Sequence, residues 1–349
     1  MTFKNYRQFT QILFSVFTIF FCFAPNSKSE AQSVDSSTLE AIFEKADDIQ
    51  TVRSLIIQQN SDLLKADSFD GRELDRAFNI KSASKSIIGL LTGIAISEDF
   101  IPSVDEPIKT YFPDYFEENP DSLKEFITVG NLLSMQAGLR STSSRNYGAW
   151  VISKNWVEYA LDQDFVNPIG GEMVYSTGTS HLLSVIISKA SDMSTRAFAR
   201  EYLFDPMNIS IGGWDKDPQG NYMGGNNMAL KPLDLVKIGQ LILDNGEYDG
   251  EQLISRQWIR DSFKTYTYSN YNPYGYGYHW WNQELGGYKV FFAWGNGGQY
   301  IFMIPELTGV VVITSSTYNT DPSRSYKEPV FELLENEIIP YLSRRTNKD

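Results

Sequence analysis

The chain has 349 residues, with 43 acidic against 30 basic side chains for a formal charge of −13, and it carries only two histidines and one cysteine. That acidic surplus excludes a protein that grips nucleic acid by displacing counterions from phosphate, and one Cys with two His cannot assemble a thiolate metal site, a His-rich metal centre or a disulfide framework. With 42% hydrophobic and 21% charged residues, the composition is globular, and the length fits two domains or one domain with a large insertion.

Residues 1–31 read as an export leader. Lys4 and Arg7 precede the uncharged run Ile12–Ala24, 13 residues long, and Pro25 and the small residues of Ser29-Glu30-Ala31 follow it. The run is shorter than the ~20 residues of a spanning helix, so no stable membrane anchor is expected. Cys22 follows the bulky Phe21, which speaks against lipid attachment. Cleavage after Ala31 removes Lys4, Arg7, Lys28, Glu30 and Cys22, leaving residues 32–349 more acidic and free of thiols. Such a chain suits an oxidising periplasmic or extracellular compartment.

A short helix is expected at Thr38–Ala46. A β-rich stretch over Thr51–Asn60, a turn at Ser61-Asp62 and the run Leu63–Ala66 then predict a hairpin. From Ser82 to Ser97 the residues Ile87, Ile88, Leu91, Ile94 and Ala95 recur at helical spacing, with Gly89 and Gly93 allowing close packing. Between Val104 and Asp244 the pattern is helical and loop-like, with helices expected at Val129–Gln136, Trp150–Leu161, Thr179–Ala190, Ala197–Leu203 and Leu233–Leu243. The last third changes character: Tyr274–Trp281, Lys289–Trp294, Tyr300–Ile304 and Val310–Ser315 read as strands of an antiparallel meander, closed by an amphipathic helix at Glu328–Leu342. Strands at both ends with helices between them predict one α+β unit. Its antiparallel sheet is built from both chain ends (about 32–103 and 250–349) and flanked by helices, with a mostly helical inserted region at about 104–249.

No Gly-x-Ser-x-Gly elbow occurs, and neither His181, at the start of a predicted helix, nor His279, inside a predicted aromatic strand, has a visible nucleophile partner. A hydrolase of this sequence needs another base, and Lys or Tyr are the candidates. Ser82 and Lys85 stand three apart at the start of the most apolar helix, so they share one face within a turn. Ser82 there has a backbone N–H free for an oxyanion. Apolar surroundings and the positive helix end both disfavour a protonated Lys85. The spacing alone is common by chance; its place on this helix gives it weight. Glu172–Gly178 is a loop entering a helix, from which Tyr175 can reach a cleft, and a nearby cation favours phenolate. Phe291–Gln299 is a strand ending in glycines, where backbone N–H groups can approach a substrate closely or simply form a hairpin turn. Trp214–Gly220 lacks the bidentate Glu of a calcium loop and reads as a turn.

The order Ser-x-x-Lys, then Tyr-Ser-Thr, then a Gly-rich strand end resembles the serine β-lactamase and penicillin-binding-protein superfamily. Within it the chain is most similar to the branch of class C β-lactamases, esterases of that fold and 6-aminohexanoate-dimer hydrolase. Asn131–Leu139, Tyr202–Ile209, Leu230–Leu235 and Gly298–Pro305 extend the likeness, which covers about Thr51 to Leu342. The resemblance implies Ser82 as acylated nucleophile, Lys85 and Tyr175 as shared general base, and the backbone amides of Ser82 and Asn296 as oxyanion hole. It further implies that Tyr147, Thr177, Gly295, Gly297 and Gln299 face substrate, and that neither metal nor cofactor takes part. Two departures matter: the family's Lys-[Ser/Thr]-Gly is Ala293-Trp294-Gly295 here, without a cation for a β-lactam carboxylate, and the usual Asn of Tyr-x-Asn is Thr177. The expectation is an exported serine hydrolase of small esters or amides. The alternatives are a true β-lactamase or D-Ala-D-Ala carboxypeptidase, and a non-catalytic binding or sensor protein whose Tyr- and Trp-rich stretch, Tyr266–Trp281, lines a pocket.

Overall fold

The computed structural model describes residues 27–71, 74–120, 123–317 and 327–346. The expected leader falls almost wholly outside them; its last residues, 27–31, are helical. The chain forms two compact units, residues 1–38 and 39–349. In the first, the described residues are helical. Helix α1 (Ser27–Asp47) begins well before the expected Thr38 and continues into the second unit. There Leu39, Ile42, Phe43 and Ala46 are buried at the spacing of one helical stripe.

The expected hairpin forms from β1 (Val52–Gln59) and β2 (Asp62–Ser68). Asn60 and Ser61 make its turn with φ of 52° and 65°, the left-handed pair that matches the twist of the strands. After β3 (Phe78–Asn79) and a 3₁₀ turn at Lys81–Ala83 comes α2 (Ser84–Ser97), buried from Ser84 to Ala95. Its two glycines are there for contact: a Cβ on Gly93 would lie 2.2 Å from the Trp258 ring, and one on Gly89 would lie 2.9 Å from the Tyr278 carbonyl.

The helical region holds α3 (Pro113–Glu118), α4 (Val129–Leu133), α5 (Tyr147–Val151), α6 (Trp156–Leu161), α7 (Thr177–Ser191) and α8 (Thr195–Ala199). The expected helix Trp150–Leu161 is in fact two, because Asn155 takes an extended conformation and caps α6 by accepting from Val157 and Glu158 N–H. After β4 (Ala229–Leu230), α9 (Pro232–Leu243) packs on the sheet, with Gly239 against Val310.

A small hairpin of β5 (Glu247–Tyr248) and β6 (Glu251–Gln252) and α10 (Arg256–Ser262) lead into β7 (Thr267–Tyr268), β8 (Gly275–Tyr276), β9 (Trp281–Leu285), β10 (Tyr288–Gly295), β11 (Gln299–Ile304) and β12 (Gly309–Ser315). The main sheet is antiparallel, eight-stranded and ordered β2-β1-β12-β11-β10-β9-β8-β7. Pairing of Val52 with Ser315 through Gln59 with Gly309 joins the two chain ends, as expected. Alternate residues divide between two cores: Leu55, Ile57, Phe292, Phe302, Val311 and Ile313 face α1 and the C-terminal helices, whereas Ile56, Ala293, Ile301, Val310 and Val312 face α2 and α9. Central strands buried on both faces read as continuous apolar runs.

One C-terminal expectation needs correction, and a second is met with added detail. Tyr274–Trp281 is not one strand: Gly277 sits where any Cβ would meet the Ser262 carbonyl at 2.0 Å, and His279 has φ 64°, so the chain turns between β8 and β9. The final helix comprises α11 (Lys327–Leu333), a π turn at Leu334–Ile338 and α12 (Ile339–Thr346). Pro340 explains the interruption, because it has no N–H to donate into the preceding turn.

Candidate active site

Ser82 is half-buried in the 3₁₀ turn that feeds α2. The turn is set by Lys81, whose φ of 54° is left-handed and whose N–H donates to Asn79 Oδ1 at 2.8 Å. Asn79 is held in turn, donating from Nδ2 to Asn227 Oδ1 at 2.9 Å, and Ile80 N–H donates to the Met228 carbonyl at 2.9 Å. An uncommon backbone geometry just before the serine is thus over-determined by its surroundings. The Ser82 N–H has no acceptor among the described residues.

Lys85 follows one turn later and is 1% exposed. Its Nζ lies 3.2 Å from Ser82 Oγ, 3.2 Å from Thr177 Oγ1 and 2.6 Å from the Gly225 carbonyl oxygen. Burial pushes its pKa down from 10.5 to about 7, because the ammonium loses water and no carboxylate pairs with it among the described residues. A neutral amine has two N–H groups and one lone pair. Gly225 O can only accept, so one N–H is committed there; with the second directed to Thr177, the lone pair is left for the Ser82 hydroxyl.

Tyr175 is half-buried, with the Lys85 Nζ 4.9 Å from its ring centroid. Its ring stacks on Trp281 at 5.7 Å, and its carbonyl accepts from Ser141 Oγ at 2.6 Å. Ser143 Oγ accepts from Thr177 N–H at 2.8 Å and shares a 2.8 Å hydrogen bond with Thr177 Oγ1, while Thr142 Oγ1 accepts from Gly178 N–H at 2.7 Å. The N-terminus of α7 is therefore capped by hydroxyls from the preceding loop, which fixes Thr177 against Lys85.

On the opposite wall, Gly295 ends β10 so close to the nucleophile turn that a Cβ there would be 2.2 Å from the Ile80 carbonyl. The exposed Asn296 follows it in a turn whose Gly297 and Gly298 have φ of 86° and 99°. The structure thus brings Ser82, Lys85, Tyr175 and Thr177 together and lays the β10–β11 turn beside them. Gln299 is placed otherwise: it is 1% exposed, and its amide closes on the Ser315 backbone, donating to O at 2.7 Å and accepting from N at 3.1 Å. Its amide braces the turn against β12. Tyr147 bonds the residue after Gly225, its hydroxyl accepting from Asn226 Nδ2 at 3.0 Å. A cavity of about 330 Å³ lies on the other side of the turn, lined by Arg53, Asp70, Arg76 and Lys81 among others, and touches none of Ser82, Lys85 or Tyr175.

Two contributors escape a reading of the sequence. Gly225 and Ser143 lie far from any motif, and only the fold brings them to the lysine and to α7. His279, expected in a strand, is a buried turn residue whose pKa is pushed down to about 3 by burial and by Lys85. Among the described residues no cluster of three His, Cys, Asp or Glu side chains is placed to hold a metal ion, and no helix is long and apolar enough to cross a membrane.

The beta-lactamase family model matches residues 65–333. No curated protein matches the sequence. Among solved structures, a candidate 6-aminohexanoate-dimer hydrolase from Bacillus anthracis is 18% identical, with a TM-score of 0.72 over 86% of this chain and 81% of that one. A penicillin-binding protein homologue from Caulobacter crescentus is 15% identical, with a TM-score of 0.70 over 88% and 97%. The octameric penicillin-binding protein homologue from Pyrococcus abyssi is 20% identical, with a TM-score of 0.68 over 87% and 77%. At such identities the likeness is one of fold.

Proposed function

Since this chain belongs to the beta-lactamase family, we propose that it is a serine hydrolase that opens small esters or amides through an acyl-enzyme on Ser82. The observation that carries the reading is the dry Lys85, 3.2 Å from Ser82 Oγ with its other contacts committed to Gly225 and Thr177. In this mechanism Lys85 takes the Ser82 proton as Oγ attacks the substrate carbonyl carbon. The N–H groups of Ser82 and Asn296 hold the oxyanion, and Tyr175, beside Lys85, relays the proton to the leaving alcohol or amine. Water then attacks the acyl carbonyl with Lys85 and Tyr175 again as base, and Ser82 is released.

The third motif narrows the substrate. Ala293 is buried in the α2 core, and Trp294 joins Trp281 and Tyr274 at ring distances of 5.6 and 6.4 Å. Neither offers a cation to a substrate carboxylate, which favours uncharged acyl groups over β-lactams and D-Ala-D-Ala peptides. Export is part of the same proposal and rests on the basic and apolar pattern of residues 1–31. A panel of p-nitrophenyl esters, nitrocefin, D-Ala-D-Ala peptides and ω-amino-acid dimers, run on one preparation, tests the reading. Turnover of esters or uncharged amides above the antibiotic and peptide, abolished in Ser82→Ala, is expected. Turnover unchanged in Ser82→Ala overturns it.

A further inference from the structure

The loop that carries Gly225 is held by a buried pair that the mechanism above does not use. His181 and Asp217 are both fully buried, with His181 Nε2 3.0 Å from Asp217 Oδ2. The other ring nitrogen, Nδ1, accepts from Gly224 N–H at 3.4 Å. An N–H pointing at Nδ1 places the ring proton on Nε2, where it donates to the carboxylate. Asp217 also accepts from Asn221, at 2.8 Å from its backbone N–H and at 2.8 Å from its side-chain Nδ2. These bonds hold its carboxyl below the usual range although burial works against them. The imidazole is fixed between Trp150 and Trp156, at 5.7 and 5.5 Å from their centroids.

The pair is one of three ties along a single stripe of α7. Thr177, His181 and Ser184 recur at helical spacing: Thr177 meets Lys85, His181 holds Asp217 and Gly224, and Ser184 Oγ donates to the Tyr222 carbonyl at 2.7 Å. The loop consequently lies flat on the helix. A Cβ on Gly224 would meet the Ser180 carbonyl at 2.1 Å, and one on Gly225 would stand 3.2 Å from Lys85 Nζ. Gly225 thus both accepts from the lysine and keeps water off it.

We propose that His181 and Asp217 are a positioning pair: by holding Gly224 against α7 they set the Gly225 carbonyl on Lys85 and keep that amine dry. The proposal rests on the reading of Lys85 as the base, but it is stated for the environment of Lys85 itself. The titratable groups facing Lys85 are Tyr175 and His279, and His279 is kept neutral by burial. Displacing the loop therefore acts on Lys85 by letting water replace the Gly225 carbonyl, not by changing a charge that faces it.

Asp217→Asn is the sharpest perturbation. An amide there sets an N–H against a donor in either orientation: toward His181 it drives the ring proton to Nδ1 against the Gly224 N–H, and toward Asn221 it opposes that residue's backbone N–H, so the loop is loosened either way. The test follows the ¹³Cε resonance of Lys85 with pH in ¹³C-lysine-labelled protein, assigned by its loss in Lys85→Met. The expected midpoint is near 7 in the wild type and at least one pH unit higher in Asp217→Asn, with the rate of Ser82 labelling at pH 7 falling roughly fivefold per folded molecule. Should Asp217→Asn not fold, His181→Gln gives the same readout, because it keeps an N–H for Asp217 and removes the ring nitrogen from Gly224. Val311→Ala, in the core on the far face of the sheet, is the control for plain destabilisation and leaves the midpoint in place. An unchanged Lys85 midpoint in folded Asp217→Asn or His181→Gln overturns the proposal. A wild type that shows the shifted midpoint but no labelling overturns the reading of the site and leaves the positioning pair standing.

Discussion

Replacing Lys85 with Met converts the site's electrostatics into a stability measurement. Lowering an amine from 10.5 to about 7 corresponds to roughly 5 kcal/mol of penalty on its charged form in the folded protein. Below pH 7 the lysine is protonated in both states and the whole penalty applies. Between pH 7 and 10.5 the unfolded chain holds a proton that the folded chain has released, so wild-type stability rises with pH at about 1.4 kcal/mol per unit from this group. Met occupies the space without the charge but leaves the Gly225 carbonyl without its donor, at a cost of about 1–3 kcal/mol. Lys85→Met is therefore expected to be more stable than wild type by roughly 2–4 kcal/mol below pH 7. The advantage shrinks above pH 7 and reverses between about pH 8.5 and 10, and above the ordinary lysine value only the lost hydrogen bond remains. Urea denaturation followed by tryptophan fluorescence at several pH values reads the difference directly, since groups other than Lys85 cancel between the two proteins. A difference that does not vary with pH would mean that Lys85 titrates at its ordinary value, and the reasoning about a dry base would fail.

Other consequences are equally concrete. Acylation of Ser82 should lose rate as pH falls through about 7, because Lys85 becomes protonated and its lone pair is gone; a rate–pH profile with no limb between pH 6 and 8 would contradict that. Lys81→Gly relieves a left-handed residue with φ 54° and should stabilise the fold by about 0.5–1 kcal/mol while retaining activity; thermal melts and ester turnover check both halves. Gly93→Ala drives a methyl into the Trp258 ring, 2.2 Å from where its Cβ must go, and is expected to cost about 1–3 kcal/mol in denaturant unfolding.

The parts of this molecule legible in the sequence are those fixed by local periodicity. Ser82 and Lys85 lie one turn apart on a helix, so their neighbourhood followed from the spacing and from the apolar run behind it. The hairpin and the β10–β12 meander followed from β-branched runs between turn residues. What escaped was decided at long range or by one residue's conformation. Asn155 splits a periodic helix by capping, and Gly277 and His279 break an aromatic run that β-propensity favours throughout. Gln299 is placed against substrate by the resemblance alone, yet its amide is spent on Ser315. Asp217 sat in a segment read as a plain turn, and His181 seemed idle because no nucleophile stood near it. Their pairing needs α7 and the 215–225 loop packed together, which neither segment's own pattern announces.

The central claim, that Ser82 is the nucleophile, is tested most directly by treating the folded protein with a fluorophosphonate and locating the adduct by mass spectrometry. The account predicts one adduct per chain, on Ser82, absent from Ser82→Ala. A folded protein that remains unmodified, or an adduct that persists in Ser82→Ala, would contradict it.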